Sequence, residues 1–276
     1  MQNKIILNDD EIKEIEKLRE ILQNHIKEYG RFKSFCKTAK DALLMSHALL
    51  NNDYATFKKF KLIYTNHTAE KMRGIMSLST FKKTSQICQY LSMCGGVCKK
   101  CYAEKSITFY KASLIPTLIY NTLLLKYVDI DNAQINYIND KYFRFEAFSD
   151  LQGAQHFYNL IKICKKNKET IFTLWTKAGA LTLNKFMQEK NIIKLPNNLN
   201  IVNSEFYLNQ CKYNADDLVK MQSILNTKNA LKNFIVYDDE TKRAASGFYQ
   251  CKNKCVNCLK CYKKTKTPVF IAEKLH

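Results

Sequence analysis

The chain has 276 residues, of which 46% are hydrophobic and 12% aromatic, and it carries a formal charge of +19. This composition is enough to bury a sizeable core, so it excludes an intrinsically disordered protein. The N-terminus has no basic-then-apolar signal sequence, and no apolar run approaches the roughly 20 residues that cross a bilayer. We therefore expect a cytoplasmic protein with no membrane partner.

The charge favours anionic partners such as nucleic acid or nucleotides. Lysine and asparagine are abundant along the whole chain, however, so a general compositional bias explains the excess equally well. The chain also has 11 cysteines. In a reducing cytoplasm they are expected to be metal ligands or free thiols rather than a disulfide framework.

The first quarter of the chain has the periodicity of helices. Apolar residues recur at three-and-four spacing from Asn8 to Tyr29, where Asn8 and Glu11 form a predicted capping box and Gly30 a stop signal. Two more helices are predicted over residues 31–50 and 54–64. Residues 1–70 are therefore predicted to form a helical N-terminal extension.

After residue 71, short apolar runs alternate with helical patterns. Helices are predicted over residues 113–127 and 153–167, and six strands are predicted in RGIMSLST, KYFRFEAFSD, TIFTLWTK, NLNIVNSE, NFIVYDDE and TPVFIAE. This alternation predicts parallel β-α units. Because no Gly-rich dinucleotide fingerprint is present, we expect an α/β fold with an incomplete (β/α) barrel of about six parallel strands over residues 71–250, rather than a Rossmann sheet. Residues 251–276 would hold a cysteine cluster and the last strand.

Polar side chains follow these predicted strands. In a (β/α) barrel the carboxyl ends of the strands carry the chemistry. The residues at these ends are Ser79, Thr80, Ser149, Asp150, Thr176, Lys177, Asn203, Ser204, Glu205, Asp238 and Asp239. For any one of them the alternative is that a strand simply ends where a polar loop begins.

Seven of the cysteines lie in two short windows. The second cysteine segment, CKNKCVNCLKC, contains Cys251, Cys255, Cys258 and Cys261 and can close a metal site by itself. Both an iron–sulfur cluster and an all-thiolate zinc site fit the spacing. Structural zinc more often uses two CxxC pairs separated by a longer stretch, so we favour iron–sulfur and keep zinc as the alternative.

The first cysteine segment, residues 94–101, has only three thiols, Cys94, Cys98 and Cys101. A 4Fe-4S cluster held by three thiolates leaves one iron open to a reactant. Gly95 and Gly96 would let the backbone approach such a cluster closely and donate N–H groups to its sulfides. The alternative is that a further cysteine upstream, Cys88, completes a four-thiolate zinc or iron–sulfur site.

A C-x3-C-x2-C motif after the first strand of such a barrel resembles the signature of radical S-adenosylmethionine enzymes. More closely, MSLST, CGGVCKKCYAEK, RFEAFSD, FTLWTKAG and the terminal C-x3-C-x2-C-x2-CY resemble the phage "gene product 88" family. The likeness covers roughly residues 73 to 262. Lys100 stands where radical enzymes usually have an aromatic residue, with Tyr102 two positions later, and the usual glycine-glycine-glutamate is absent.

The resemblance implies a 4Fe-4S cluster on Cys94, Cys98 and Cys101 and a bound S-adenosylmethionine that is cleaved to a 5′-deoxyadenosyl radical. A reductant such as flavodoxin or ferredoxin would supply the electron, and a phage-encoded chain would work in the host cytoplasm. The residues that it implies for cofactor binding are Tyr102, Arg144, Glu146, Ser149, Asp150, Thr176 and Lys177.

Two functions follow from these observations. The first is a radical S-adenosylmethionine-like enzyme with an auxiliary metal centre on the second cysteine segment, with Asp150, Lys177 and Glu205 as candidate catalytic residues and a nucleic acid or nucleotide as one class of substrate. The second is a non-catalytic nucleic-acid-binding protein with two structural zinc or iron–sulfur sites. Electron transfer between two clusters is a weaker third interpretation, since a pure carrier has no use for an open iron.

Overall fold

The computed structural model describes residues 5–66, 71–238, 247–252 and 254–274. Its helices are α1 Asp9–Tyr29, α2 Lys33–Leu50, α3 Tyr54–Phe57, α4 Gln86–Cys94, α5 Tyr102–Phe109, α6 Lys111–Lys126, α7 Ala154–Lys166, α8 Ala180–Glu189, α9 Ala215–Ile224 and α10 Cys255–Cys258. Its strands are β1 Thr65–Asn66, β2 Met76–Leu78, β3 Tyr142–Phe145, β4 Ile171–Thr176, β5 Leu199–Ser204, β6 Lys232–Tyr237, β7 Tyr249–Gln250 and β8 Val269–Lys274. None of the helices in these described ranges is long and apolar enough to cross a membrane.

The N-terminal helices follow the sequence prediction closely, with one error. The predicted capping box is present: the Asn8 side chain accepts the Glu11 N–H, and the Glu11 carboxylate accepts the Asn8 N–H. The helix predicted over residues 54–64 was wrong beyond Phe57, where α3 ends. Past that point the backbone pairs with distant groups instead, because the Asn121 side chain bonds both the N–H and the carbonyl of Ile63.

The sheet has eight strands in the order β1-β2-β3-β4-β5-β6-β8-β7. Strand β1 is antiparallel to β2, and the other neighbours are parallel. All six predicted strands are confirmed. From β2 to β6 the strands follow chain order without a reversal, so this part of the sheet lacks the switch point of a doubly wound fold. The sheet is open.

One face of the sheet packs on helices. The rings of Phe143 and Phe172 lie 5.5 Å apart, and those of Phe145 and Phe172 are stacked at 4.9 Å. Helix α6 is buried on nearly all sides, since it lies between the sheet and helices α1 and α2. A single hydrophobic cluster therefore runs from α1 and α2 through α6 to the strands.

The C-terminal segment covers the opposite face of the sheet, which we call the cysteine face. Cys251 and Cys261 pack there against Val202, Phe234 and Ile271. The Thr173 hydroxyl on β4 donates to the Cys261 carbonyl at 3.2 Å. A parallel sheet needs cover on both faces. Helices provide it on one face, and the second cysteine segment does so on the other.

Candidate functional site

Asp150 joins the carboxyl ends of two neighbouring strands. Its carboxylate accepts the Thr176 hydroxyl at 2.6 Å and the Lys177 N–H at 2.8 Å, so the chain after β3 is tied to the end of β4. The Leu151 N–H donates to the same carboxylate at 2.8 Å. Burial raises the pKa of Asp150, and these hydrogen bonds oppose the rise. Three predicted site residues thus meet around one buried carboxylate.

Lys177 extends this network to the third strand. Its Nζ donates to Ser204 Oγ at 3.1 Å at the end of β5. Ser149 lies beside Asp150, where its hydroxyl donates to the Asp150 carbonyl at 3.2 Å. Because Asp150 fixes the Lys177 backbone while the amine contacts Ser204, Lys177 is held at both ends of its side chain.

Glu146 lies behind the network in a buried pair with His156 of α7. Its Oε2 accepts the Thr80 hydroxyl at 3.0 Å, and its Oε1 is 3.4 Å from His156 Nε2. His156 Nδ1 accepts the Gln152 N–H at 3.1 Å, which puts the ring proton on Nε2 and leaves the imidazole neutral. Burial raises the pKa of Glu146 well above its usual range and lowers that of His156 to about 3. Burial therefore favours the uncharged form of both groups.

The sequence analysis did not identify Gln152, which links Thr80, the partner of Glu146, to Ser149, the neighbour of Asp150. Its Nε2 donates to Thr80 Oγ1 at 2.8 Å and to Ser149 Oγ at 3.2 Å. The position of Gln152, just before α7 and just after the predicted strand-end residues, is the one signal in the sequence that could have pointed to it.

Glu205 serves a different part of the fold. Its Oε1 accepts the Asn233 side-chain amide at 2.9 Å and the Lys212 N–H at 3.1 Å, so it holds the loop after β5. Asn233 pairs in register with Asn203, which puts it on the helix side of the sheet. Asp239, also predicted at a strand end, lies outside the described residues.

The first cysteine segment is docked on the loop after β5. Helix α4 ends at Cys94, a 3-10 turn covers Gly96–Lys100, and Cys101 precedes α5. The Val97 N–H donates to the Phe206 carbonyl at 3.0 Å. Gly96 has φ +61°, and a Cβ there would lie 2.6 Å from the Phe206 oxygen. The room that Gly96 leaves is thus taken up by the Phe206 backbone.

The thiols of this segment differ in their surroundings. Cys98 is close enough to Lys177, Cys101 and Asp150 for their charges to act on it; burial raises the pKa of its thiol and the Lys177 ammonium opposes this. Cys94 is exposed, and its thiol interacts with the Tyr90 hydroxyl. The hydrogen-bonded residues Asp150, Thr176, Lys177 and Ser204 form what we call the strand-end network. The segment therefore reaches from the strand-end network to the protein surface.

The sequence linked two further residues to this segment. Cys88 lies on α4 near Ser149, and burial raises the pKa of its thiol to about 12. Tyr102 begins α5, but its side chain lies outside the described part of the structure.

The second cysteine segment is tied to the chain just before β2. The Cys255 N–H donates to the Lys71 carbonyl at 2.7 Å, and Lys71 Nζ donates to the Cys251 carbonyl at 3.0 Å and pairs with Glu273. The Cys258 thiol lies 3.4 Å from the Tyr249 hydroxyl. The contacts of Lys71 join residues 180 to 202 positions apart.

Arg144 belongs with this second segment rather than with the strand-end network. Its guanidinium lies over the Trp175 ring at 4.4 Å from the centroid, on the cysteine face, and its charge acts on Cys255 and Cys261. The resemblance grouped Arg144 with Asp150 because both belong to the motif RFEAFSD. Alternation along β3 places Arg144 on the face opposite to Phe143 and Phe145.

Lys232 is a buried cation that the sequence did not single out. Its Nζ donates to Asn200 Oδ1 at 3.2 Å, and burial lowers its pKa to about 8, while the nearby Cys261 opposes this. Nothing in the run LKNFIVY distinguishes this lysine from the many others in the chain.

Within the described ranges, no three Cys, His, Asp or Glu side chains are arranged so that they could hold one metal ion. The cysteines of each segment lie near one another without converging on a point.

Comparison with known proteins gives one match. The model of a family described as "Gene product 88" matches residues 48–265, which extends the likeness seen in the motifs by about 25 residues towards the N-terminus. No curated protein and no solved structure matches the chain.

Proposed function

The chain belongs to the gene product 88 family, and from that premise we propose that it is an iron–sulfur enzyme of the radical S-adenosylmethionine type. The proposal assigns a 4Fe-4S cluster to Cys94, Cys98 and Cys101 and an auxiliary centre, iron–sulfur or zinc, to the second cysteine segment. We further propose that the parallel strands form an incomplete (β/α) barrel. The chain would be a phage protein that works in the host cytoplasm.

One observation carries this proposal. Cys98 lies within reach of the charges of Lys177 and Asp150, at the edge where the carboxyl ends of β3, β4 and β5 meet. That edge is where barrel enzymes place their chemistry. A thiol motif and a polar strand-end network, separated by about 50 residues in the chain, therefore face the same space.

The donor set fits an iron–sulfur cluster by its chemistry. Soft thiolates within one eight-residue segment select iron–sulfur clusters or zinc over hard cations. The thiols do not converge in the structure, so we assign ligands but no coordination geometry. When bound, a cluster with three protein thiolates supplies an electron and one iron that is open to the cofactor's amine and carboxylate.

The chain's own groups would hold the cofactor and keep water away from it. The Lys177 ammonium, held near Cys98, can pair with the carboxylate of S-adenosylmethionine, and Ser204 and Thr176 offer hydroxyls beside it. Asp150 keeps the Lys177 backbone in place. Glu146 and Ser149 act from behind, through Thr80 and Gln152, so we regard them as positioning residues.

Positive side chains around the second cysteine segment support an anionic centre there. Arg144, Lys71 and Lys232 all lie close to its cysteines. Four thiolates on one Fe₄S₄ or zinc centre carry net negative charge, which is costly to bury without compensation. These three cations would offset that charge.

The test is metal analysis and cofactor turnover in oxygen-free protein. We expect brown visible absorbance, about four or more irons per chain, and 5′-deoxyadenosine after reduction in the presence of S-adenosylmethionine. Cys98→Ala should remove about four irons and abolish 5′-deoxyadenosine, whereas Cys211→Ala, an exposed cysteine outside both segments, should leave both unchanged. Zinc without iron would contradict the proposal.

A further variant separates three thiol ligands from four. Cys88→Ala should keep the iron and the turnover, because the proposal leaves one iron without a protein ligand. Equal loss of iron in Cys88→Ala and Cys98→Ala would mean a four-thiolate site, and the open-iron function would then be wrong.

The rival function, a nucleic-acid-binding protein with structural metal sites, is favoured by the lysine-rich stretch around the first cysteine segment. It predicts salt-dependent binding to nucleic acid with no 5′-deoxyadenosine under any reducing condition.

A further inference from the structure

Large side chains beside the first cysteine segment are exposed to solvent. Tyr90 is 66% exposed, Met93 85% and Tyr207 55%. The Tyr90 hydroxyl interacts with the Cys94 thiol, and Tyr90 is also within reach of Tyr207, so the two rings lie on the same patch. Exposed aromatic residues grouped at one place often mark a binding surface.

The two tyrosines come from different parts of the chain, and the backbone holds those parts together. Tyr90 lies on α4, while Tyr207 follows β5. The Val97–Phe206 hydrogen bond of 3.0 Å connects the two loops next to these residues. The aromatic patch is therefore built by tertiary contacts at the rim of the strand-end network.

The same region is strongly one-sided in charge. Residues 81–111 contain six lysines and one acid, Glu104, which pairs with Lys82. A cleft of about 190 Å³ between this stretch and α6 is lined by Lys82, Lys83 and Lys111 together with Glu104, Thr108 and apolar side chains. Lys111 pairs with Glu28 at 2.6 Å, which leaves Lys83 as the exposed cation of the cleft. Lys82 is also close to Cys101.

The cysteine segment lies between these two features. Cys94 contacts the aromatic patch, whereas Cys101 is next to Lys82 and the lysine-lined cleft. A long ligand that used both features would pass over the segment itself. Such a ligand needs flat rings to stack on the tyrosines and repeated negative charge for the lysines.

We propose that this surface binds single-stranded nucleic acid, with unpaired bases stacked on Tyr90 and Tyr207 and phosphates on the lysines of residues 81–111. Base stacking on aromatic side chains together with a basic track is how proteins bind single strands without reading sequence. A paired duplex hides its base faces, so it would use only the lysines. The proposal rests on the proposed function in one respect: it names the substrate class that reaches the first cysteine segment.

Fluorescence anisotropy of a labelled 20-mer of thymidine or uridine, with full-length metal-loaded protein, tests the stacking. Tyr90→Ala and Tyr207→Ala should each weaken binding roughly 10-fold, and Tyr→Phe at either site should restore it. Tyr137→Ala is the matched control, since Tyr137 is 65% exposed and lies before β3, away from the carboxyl edge. It should bind as the unmodified protein does, and so should a Tyr137→Phe variant.

The lysines are tested by the salt dependence of the same binding. Lys83→Gln and Lys99→Gln should each reduce the slope of log affinity against log salt by about 0.7, the value for one phosphate contact in a single strand. Lys168→Gln, an exposed lysine between α7 and β4, should leave the slope unchanged.

Three results would overturn the inference. Equal losses of affinity in the Tyr90, Tyr207 and Tyr137 variants would show non-specific binding. Tighter binding of a duplex of equal length would exclude stacking. Displacement of the oligonucleotide by anionic lipid vesicles would indicate a general anion-binding surface. No oligonucleotide binding at low salt, in protein that still makes 5′-deoxyadenosine, would remove the inference and leave the proposed function intact. Oligonucleotide binding without iron would do the reverse.

Discussion

The two cysteine segments are held in opposite ways. The first lies at an edge of the sheet, next to the loop after β5, and presents Cys94 to solvent. The second lies flat on the cysteine face, where Cys251 and Cys261 pack against Phe234 and its neighbours. This difference teaches that similar cysteine spacings can be placed in two settings: exposed at an edge of the sheet in the first segment, and packed over a face of the sheet in the second.

The charged side chains around the two cysteine segments also differ. Around the first segment, Lys177 and Asp150 bring charges of both signs near Cys98. Around the second, Arg144 and Lys232 lie on the sheet itself. These two cations would offset the negative charge of a thiolate-bound metal centre on the second segment.

The largest effect is expected where the first segment docks on the Phe206 backbone. Gly96→Ala adds a Cβ 2.6 Å from the Phe206 oxygen at φ +61°, and should lower the free energy of unfolding by about 3 kcal/mol or release the segment. Urea unfolding and iron content measure these two effects.

Gly95→Ala is the matched control for this change. Gly95 has φ +88° but open space around its Cβ position, so only the backbone cost of about 1 kcal/mol should remain. Equal effects of the two substitutions would show that Phe206 does not hold the segment.

Removing one thiol from each segment sharpens the comparison further. Cys261→Ala should lower the free energy of unfolding of the metal-free protein by about 2 kcal/mol, because Cys261 packs against the core residues of the cysteine face. Cys94→Ala should change it by less than about 0.5 kcal/mol, since Cys94 is exposed. Denaturant titrations of both variants without metal measure the difference. A larger loss of unfolding free energy for Cys94→Ala would mean that the first segment, and not the second, packs against the core.

A further test uses pH and the buried pair of Glu146 and His156 behind the strand-end network. His156 has its pKa lowered to about 3 from 6.5, so its contribution to stability is present above pH 6.5 and is lost as the pH falls towards 3. The stability difference between the unmodified protein and His156→Gln should therefore shrink by about 1.4 kcal/mol per pH unit in that window.

Glu146→Gln should show the opposite sign. The pKa of Glu146 is raised, so its contribution is present below 4.5 and is lost as the pH rises above that value. Chemical denaturation at several pH values tests both variants, and a reversal of both slopes would mean that the two residues form an ion pair.

Much of the fold was predictable because its signals are local. The capping box at Asn8 and the six apolar strand runs need no information from elsewhere in the chain. The helix predicted to reach residue 64 was wrong because Asn121, far along the chain, supplies the hydrogen bonds that an extended Ile63 needs.

The candidate site was predictable only in part. Asp150, Thr176 and Lys177 meet because the carboxyl ends of adjacent parallel strands are neighbours, and the sequence shows which residues stand there. Glu146 has the same parity as Arg144, which would put it on the cysteine face, but its φ of +53° turns the chain so that its carboxylate meets Thr80. A single backbone angle of this kind leaves no trace in residue type or spacing.

The bond between the Cys255 N–H and the Lys71 carbonyl fixes the strand that leads into the first cysteine segment, since β2 begins five residues after Lys71. If both segments hold metal centres as proposed, we expect the second to load before the first, because its folding fixes the chain that leads to the first. Iron reconstitution followed over time would register the two steps as successive phases rather than one.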